Sequence, residues 1–228
     1  IFLILCFSRL FLFLNLQMTL YTLKKCLRKK ISQILTNVSN HEILDESATV
    51  LDAVRTHERI GNAHRIGIYV STDKEIITDG IIDLLFHLNK KIYIPNFKKG
   101  ESEMKFIGLL QSEWDEGLPY TMWNIRQHSF IDSLRILDSP LDVLLMPGVA
   151  FSTHSDGVIK RLGHGMGYFD RFLHQHSAEY GRLPYLMGLS LRQQIVESVP
   201  VEDHDVPLNY LVYAHSTMAT QNYEKKDS

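Results

Sequence analysis

Short apolar runs that alternate with helix-period segments constrain this chain more than any other feature. Arg65-Ile-Gly-Ile-Tyr-Val70 reads as a buried strand, Ile76 to Leu88 as a helix, and Lys91-Ile-Tyr-Ile-Pro95 as a second strand stopped by its proline. Met104 to Leu109, Leu141 to Met146 and Tyr185 to Leu189 are further strand candidates; Pro147-Gly148 ends the second of these, and a helix begins over Gly167 to His174. Ahead of them, Leu20, Leu23, Leu27, Ile31 and Ile34 recur at helical spacing between Thr19 and Leu35, and a second helix covers His41 to His57. Strands alternating with helices require parallel crossovers. The expected architecture is an open three-layer α/β/α domain with a mostly parallel sheet and helices on both faces. Ligands of such sheets bind beyond the carboxyl ends of the strands. That rule selects the turn Ser71–Glu75, the turn after Met146 and the loop after Leu189.

A chain of 228 residues, 45% of them hydrophobic, can bury one full core without staples. No repeat or linker divides it. The net charge of -2 gives no reason to expect nucleic acid or a lipid surface as the main partner. Cys6 and Cys26 supply neither a disulfide framework nor paired zinc ligands, which suits a reducing compartment such as the cytoplasm. Residues 1–17 form an apolar leader interrupted by Arg9 and Asn15. They are short for a membrane span and lack the flanks of a signal peptide. The expected division is a leader at 1–17 outside the mature fold, a domain at 18–214 starting from Met18, and a polar tail at 215–228. A signal or membrane anchor, or a mitochondrial address, is the competing reading of the leader.

The densest chemistry lies in Arg161-Leu-Gly-His-Gly-Met-Gly-Tyr-Phe-Asp170. Glycines at 163, 165 and 167 allow positive φ and close backbone approach, so consecutive N–H groups can face an anion. A helix start behind them adds free donors, and Lys160 and Arg161 add charge. The pattern suits phosphate, although it is neither a Walker loop nor the Rossmann spacing. A glycine-rich surface turn is the plain alternative. Lys24 and Arg28 share a helix face, which taken alone is a solvated basic face. Asp170 can hold a magnesium ion beside phosphates or simply complement the helix dipole. Asp205, in Val199-Pro-Val-Glu-Asp-His-Asp205, is a second carboxylate of the same kind. His174 and His176 diverge on a helix, and no zinc set or G-x-S-x-G elbow is present.

Met146-Pro-Gly148 with Phe151, followed by Arg161 to Asp170, resembles the signature of the 5-formyltetrahydrofolate cyclo-ligases. Lys24-Lys-Cys-Leu-Arg28, Ile68 to Glu75, Lys91 to Pro95 and Trp123-Asn-Ile125 are similar to further segments of that family, from about Met18 to about Tyr213. The resemblance implies a sugar-phosphate isomerase/CoA-transferase-like α/β fold. It implies an ATP- and magnesium-dependent closure of 5-formyltetrahydrofolate to 5,10-methenyltetrahydrofolate through a phosphorylated formyl group. Lys24, Lys25, Cys26, Leu27 and Arg28, with Arg161, Leu162, Gly163 and the run through Phe169, would meet ATP. Val70, Glu75, Trp123, His164, Gly165, Met166, Gly167 and Tyr168 would meet the folate. His164 and Tyr168 would stand nearest the chemistry, and Asp170 and Asp205 would hold magnesium. A monomer acting on folate, with or without a polyglutamate tail, is the implied working form.

This chain departs from the family pattern at several points. His164 and Met166 replace basic loop residues. Arg126 and His128 stand where prolines are usual, Ser152 and Asn209 where acids are usual, and the stretch between Phe151 and Arg161 is long. These departures keep open a folate- or nucleotide-binding homologue with little turnover. Fold analogy alone would also permit an isomerase- or transferase-like protein.

Overall fold

A computed structural model describes residues 2–97, 103–121, 124–129, 132–153 and 157–214, with side chains described from residue 19 onward. Helix α1 (Phe2–Thr36) is continuous across Met18. Helix α2 (Asn40–Thr56) begins at a reciprocal cap: the Ser39 hydroxyl accepts from the Glu42 amide at 3.2 Å, and the Glu42 carboxylate accepts from the Ser39 amide at 2.9 Å. A short α3 (Glu58–Asn62) leads into β1 (Arg65–Ile68), α4 (Asp79–His87), β2 (Lys91–Phe97), β3 (Met104–Leu109) and α5 (Gln111–Glu116). Then come β4 (Val143–Met146), β5 (Ala150–Thr153), β6 (Ile159–Leu162), α6 (Tyr168–Tyr180), β7 (Tyr185–Ser190) and β8 (Tyr210–Tyr213).

Six strands form the main sheet in the order β3-β2-β1-β4-β7-β8. Every neighbouring pair is parallel except β2 with β3. Alternate residues feed two apolar cores. Ile66, Ile68, Val143, Leu145, Met187, Tyr210 and Val212 pack with residues of α1 to α4, including Ile31, Val50, Val54 and Ile82. Leu144, Met146, Leu186, Leu211 and Tyr213 face the other way, with Phe172 and Leu173 of α6 and Phe151 and Ile159 of the β5–β6 hairpin. This strand alternation places helices on both faces, as the three-layer expectation requires.

Three sequence expectations need correction. Pro95 does not stop its strand, because β2 continues to Phe97 and pairs Pro95 with Phe106 of β3. The ladder to β1 ends at Tyr93, so β2 is one-sided at the proline and the missing N–H is tolerated as on an edge strand. The β5–β6 hairpin and β8 were not anticipated. The hairpin strands are four residues each, too short and too mixed to announce themselves against a helix-strand alternation. The loop after Leu189 is structural: Gln194 Nε2 donates to the Gly148 carbonyl at 2.6 Å, and the Arg192 amide donates to Glu46 at 2.8 Å. Among the described residues, no helix is long and apolar enough to cross a membrane.

Candidate active site

The chain builds β1 and β2 toward one edge of the sheet and then places β4 on the other side of β1. The carboxyl ends at such a switch point leave a crevice. Two cavities lie there, one of about 460 Å³ and one of about 290 Å³. Phe97, Ile125, Pro147, His164 and Phe169 line both, so they are chambers of one cleft. The larger takes its remaining wall from Arg161, Gly163, Met166, Gly167, Tyr168 and Asp170. The smaller is closed by Tyr69, Val70, Thr72 and Glu75 beyond β1, with Pro95 and Arg126. Two of the three strand ends selected from the sequence therefore form the cleft, joined by the end of β2.

The glycine loop is built as its composition requires. Gly165 has φ +106° and Gly167, the residue that caps the start of α6, has φ +64°, both costly for a residue with a side chain. A Cβ on Gly165 would approach Arg28 Cζ to 3.3 Å, and one on Gly163 would come within 2.9 Å of Arg161 Nη1. Gly163 thus serves close approach rather than positive φ. Arg28 Nε donates to the Gly163 carbonyl at 2.8 Å, which ties α1 to the loop.

Of the basic segment on α1, Lys24 and Arg28 point inward and Lys25 and Cys26 are exposed, while Leu27 packs on the core. Lys24 is buried, with Nζ 2.6 Å from Glu202 and 2.6 Å from Asp205. Burial opposes its charge, but Asp205 and Glu202 together outweigh that and hold its pKa above the ordinary lysine value. The plain reading of a solvated basic face therefore fails for Lys24. Glu202 was not singled out from the sequence; its place in an acidic loop gave no cue to a buried lysine on α1.

Arg161 is buried, and its Nη2 donates to Asp170 Oδ2 at 2.9 Å. Its Nε is buried and has no hydrogen-bond partner among the described residues. Asp170 Oδ1 accepts the Val206 amide at 3.2 Å, which brings helix α6 beside the loop carrying Asp205. Asp205 Oδ2 also accepts the Glu202 amide at 2.8 Å. Each of the two carboxylates is thus already balanced by a cation of the chain. No group of three His, Cys, Asp or Glu side chains converges among the described residues. Magnesium typically takes one or two carboxylates with phosphate oxygens and water, so Asp170 and Asp205, which the Val206 contact brings onto neighbouring segments, could hold an ion only together with a nucleotide.

His164 is exposed where the chambers meet, with Nε2 3.5 Å from Glu75 Oε1. The other Glu75 oxygen accepts from the Thr72 amide and hydroxyl, both at 2.9 Å, so the carboxylate is held with one oxygen toward the histidine. Tyr168 sets its ring against Phe97 at 5.0 Å, with the Arg171 guanidinium 5.2 Å from its centre. Val70 is buried in the wall of the smaller chamber, and Met166 is exposed on the larger. The Leu162 side chain belongs to the core. Trp123 lies outside the described residues. Phe97, Ile125, Arg126 and Pro147 line the cleft without being named as site residues from the sequence; the proline at 95 concealed the first, and Pro147 entered only as part of the signature segment and of the turn after Met146. Asn209 and Ser152 prove structural. Asn209 Oδ1 accepts the Leu186 amide at 2.8 Å near the amino end of β7, away from the cleft, and Ser152 Oγ accepts the Val199 amide at 3.1 Å.

Fold and cleft together define a class: an α/β domain whose glycine loop and helix start face an apolar chamber at the sheet's switch point. The family model described as the 5-formyltetrahydrofolate cyclo-ligase family matches residues 21–214, and the chain belongs to that family. It is 32% identical over 203 residues to a probable 5-formyltetrahydrofolate cyclo-ligase of Caenorhabditis elegans, covering 86% of this chain and 94% of the relative. It is 32% identical over 200 residues to the 5-formyltetrahydrofolate cyclo-ligase of Mus musculus, covering 87% and 97%. The solved structure of Aquifex aeolicus 5,10-methenyltetrahydrofolate synthetase superposes with TM-score 0.68 at 21% identity, covering 90% of this chain and 94% of that one.

Proposed function

We propose that this chain closes 5-formyltetrahydrofolate to 5,10-methenyltetrahydrofolate, using ATP with magnesium and releasing ADP and phosphate. The observation that carries the reading is a single cleft with two unlike chambers that meet at His164. The larger carries the glycine loop, the start of α6 and the unpaired Arg161 Nε–H, donors suited to phosphate oxygens. The smaller carries a fixed carboxylate, Glu75, among apolar side chains, suited to the N–H groups and flat face of a reduced pterin.

The formyl group is an amide, so its carbon is a weak electrophile. In the proposed reaction its oxygen attacks the γ-phosphorus and ADP leaves. The neighbouring secondary amine then attacks the activated carbon and loses its proton, and the carbon–oxygen bond breaks to release phosphate. No side chain needs to act as a nucleophile; alignment and charge neutralisation carry the rate. Arg28 fixes the loop, Arg161 and the loop amides take phosphate charge, and Lys24 can exchange its carboxylate partners for a phosphate. Glu75 orients the folate, and His164 and Tyr168 flank the reacting groups. Magnesium, which Asp170 and Asp205 would hold, supplies charge neutralisation on the nucleotide phosphates.

We place the working unit in residues 18–214 as a cytoplasmic monomer. The extent of the family match supports those bounds, and the lack of any disulfide framework suits that compartment. Met166, exposed where a basic residue would add charge, favours a second reading, in which both ligands bind with little turnover. Absorbance of the methenyl product, followed with and without ATP and magnesium, separates the two. Product that requires both supports the cyclo-ligase reading; binding without product supports the second.

A further inference from the structure

One wall of the cleft has no part in the scheme above. Residues 124–129 bring Ile125 into both chambers and Arg126 into the smaller one. Two sets of hydrogen bonds already hold this segment. Asn96 Nδ2 donates to the His128 carbonyl at 2.9 Å, while the Gln127 side chain accepts the Phe97 amide at 3.1 Å and donates to the Phe97 carbonyl at 2.9 Å. The Thr121 amide donates to the Ile125 carbonyl at 2.9 Å, and the Ile125 amide returns to Thr121 Oγ1 at 3.2 Å.

A third attachment is ionic. Helix α4 presents Asp79 and Asp83 one turn apart. Asp79 takes the Arg126 guanidinium in a two-pronged pair, Nη1 to Oδ2 at 2.8 Å with Nη2 on Oδ1. Asp83 accepts the Trp114 indole N–H at 2.7 Å, and Arg126 lies 5.3 Å above that indole. The arginine is therefore fixed on two sides, beyond what holding the backbone requires.

The chemistry of the chamber suggests why. Among the described residues, Arg126 is the one lysine or arginine lining the smaller chamber, and Glu75, held for the folate, is the one carboxylate lining it. A flexible arginine left free there would pair with Glu75 and fill the space the substrate needs. We infer that Asp79 is a positioning residue: it binds Arg126 away from Glu75, keeping the folate chamber open and its carboxylate available. The inference rests on the folate reading of the smaller chamber.

A distinctive pattern of affinities follows. Asp79→Asn releases Arg126 and weakens binding of 5-formyltetrahydrofolate about tenfold. Arg126→Met removes the competing charge and weakens it only about twofold. The double variant matches Arg126→Met, so the second substitution rescues the first, a coupling expected only when one residue acts through the other. Calorimetric titration with 5-formyltetrahydrofolate, corrected for the folded fraction read from thermal melts, gives the comparison. A merely structural role would lower Tm in all three variants and leave the affinity of the folded protein unchanged, and that result overturns the inference. So does a double variant weaker than Asp79→Asn. If the unaltered chain takes up no 5-formyltetrahydrofolate, the folate reading itself fails, and the inference with it.

Discussion

At the scale of single residues, the glycine loop depends on contacts that the motif alone does not reveal. Gly165 combines φ +106° with an approach to Arg28, so Gly165→Ala introduces backbone strain and crowds the guanidinium at once. Strain of this kind costs about 1–3 kcal/mol. The predicted outcome is a loss of Mg–ATP affinity of about tenfold or more, read by calorimetry, with a smaller change in folate affinity. Arg28→Ala removes the 2.8 Å bond to the Gly163 carbonyl and should likewise weaken ATP more than folate. Equal loss of both ligands would show that Arg28 supports the domain and not the loop. The pattern of glycines and the basic face of α1 were legible in the sequence. Their mutual contact, and the pairing of Lys24 with Glu202 and Asp205, were not, because residues 135 to 181 positions apart meet only through the fold.

At the scale of elements, the strands and helices that carry strong periodicity were legible, and those set by their surroundings were not. Strands β1, β2, β3, β4 and β7 appear near their expected places, because a strand buried on both faces must be apolar almost throughout. The β5–β6 hairpin owes its existence to packing: Phe151 and Ile159 are fully buried beneath the sheet. Helix α6 is tied to the rim of β4 by His176, and this histidine carries a pH prediction. Its Nε2 accepts the Leu141 amide at 3.0 Å, so Nδ1 holds the proton and faces the Arg182 carbonyl at 2.9 Å. Burial pushes its pKa below the ordinary value of 6.5, outweighing the opposing pull of the Arg182 carbonyl. A depressed histidine contributes stability that is present above pH 6.5 and lost as pH falls through the folded-state value. His176→Gln does not titrate and loses part of the bonding, about 1–2 kcal/mol at neutral pH. Urea denaturation at a series of pH values should show the stability gap between the two proteins shrinking below pH 6.5. A gap that stays constant would contradict the assignment.

At the scale of the whole molecule, the order of strands explains why the site sits where it does. The switch between β1 and β4 opens the crevice, β2 extends past Pro95 to close its side, and α6 brings the loop and Asp170 to its rim. The open α/β sheet and two of its three candidate strand ends could be read from the alternation of elements. The family resemblance already set His164 against both ligands; the wall that Phe97 gives to both chambers was not legible, since it depends on β2 running longer than its sequence suggests. The proposed reaction turns on one chemical event in that cleft, transfer of the γ-phosphoryl group to the formyl oxygen. Substrate carrying heavy oxygen in its formyl group tests this most directly. The account predicts that each turnover with Mg–ATP delivers the label into the released inorganic phosphate, whereas label recovered in water, or methenyl product formed without labelled phosphate, would contradict it.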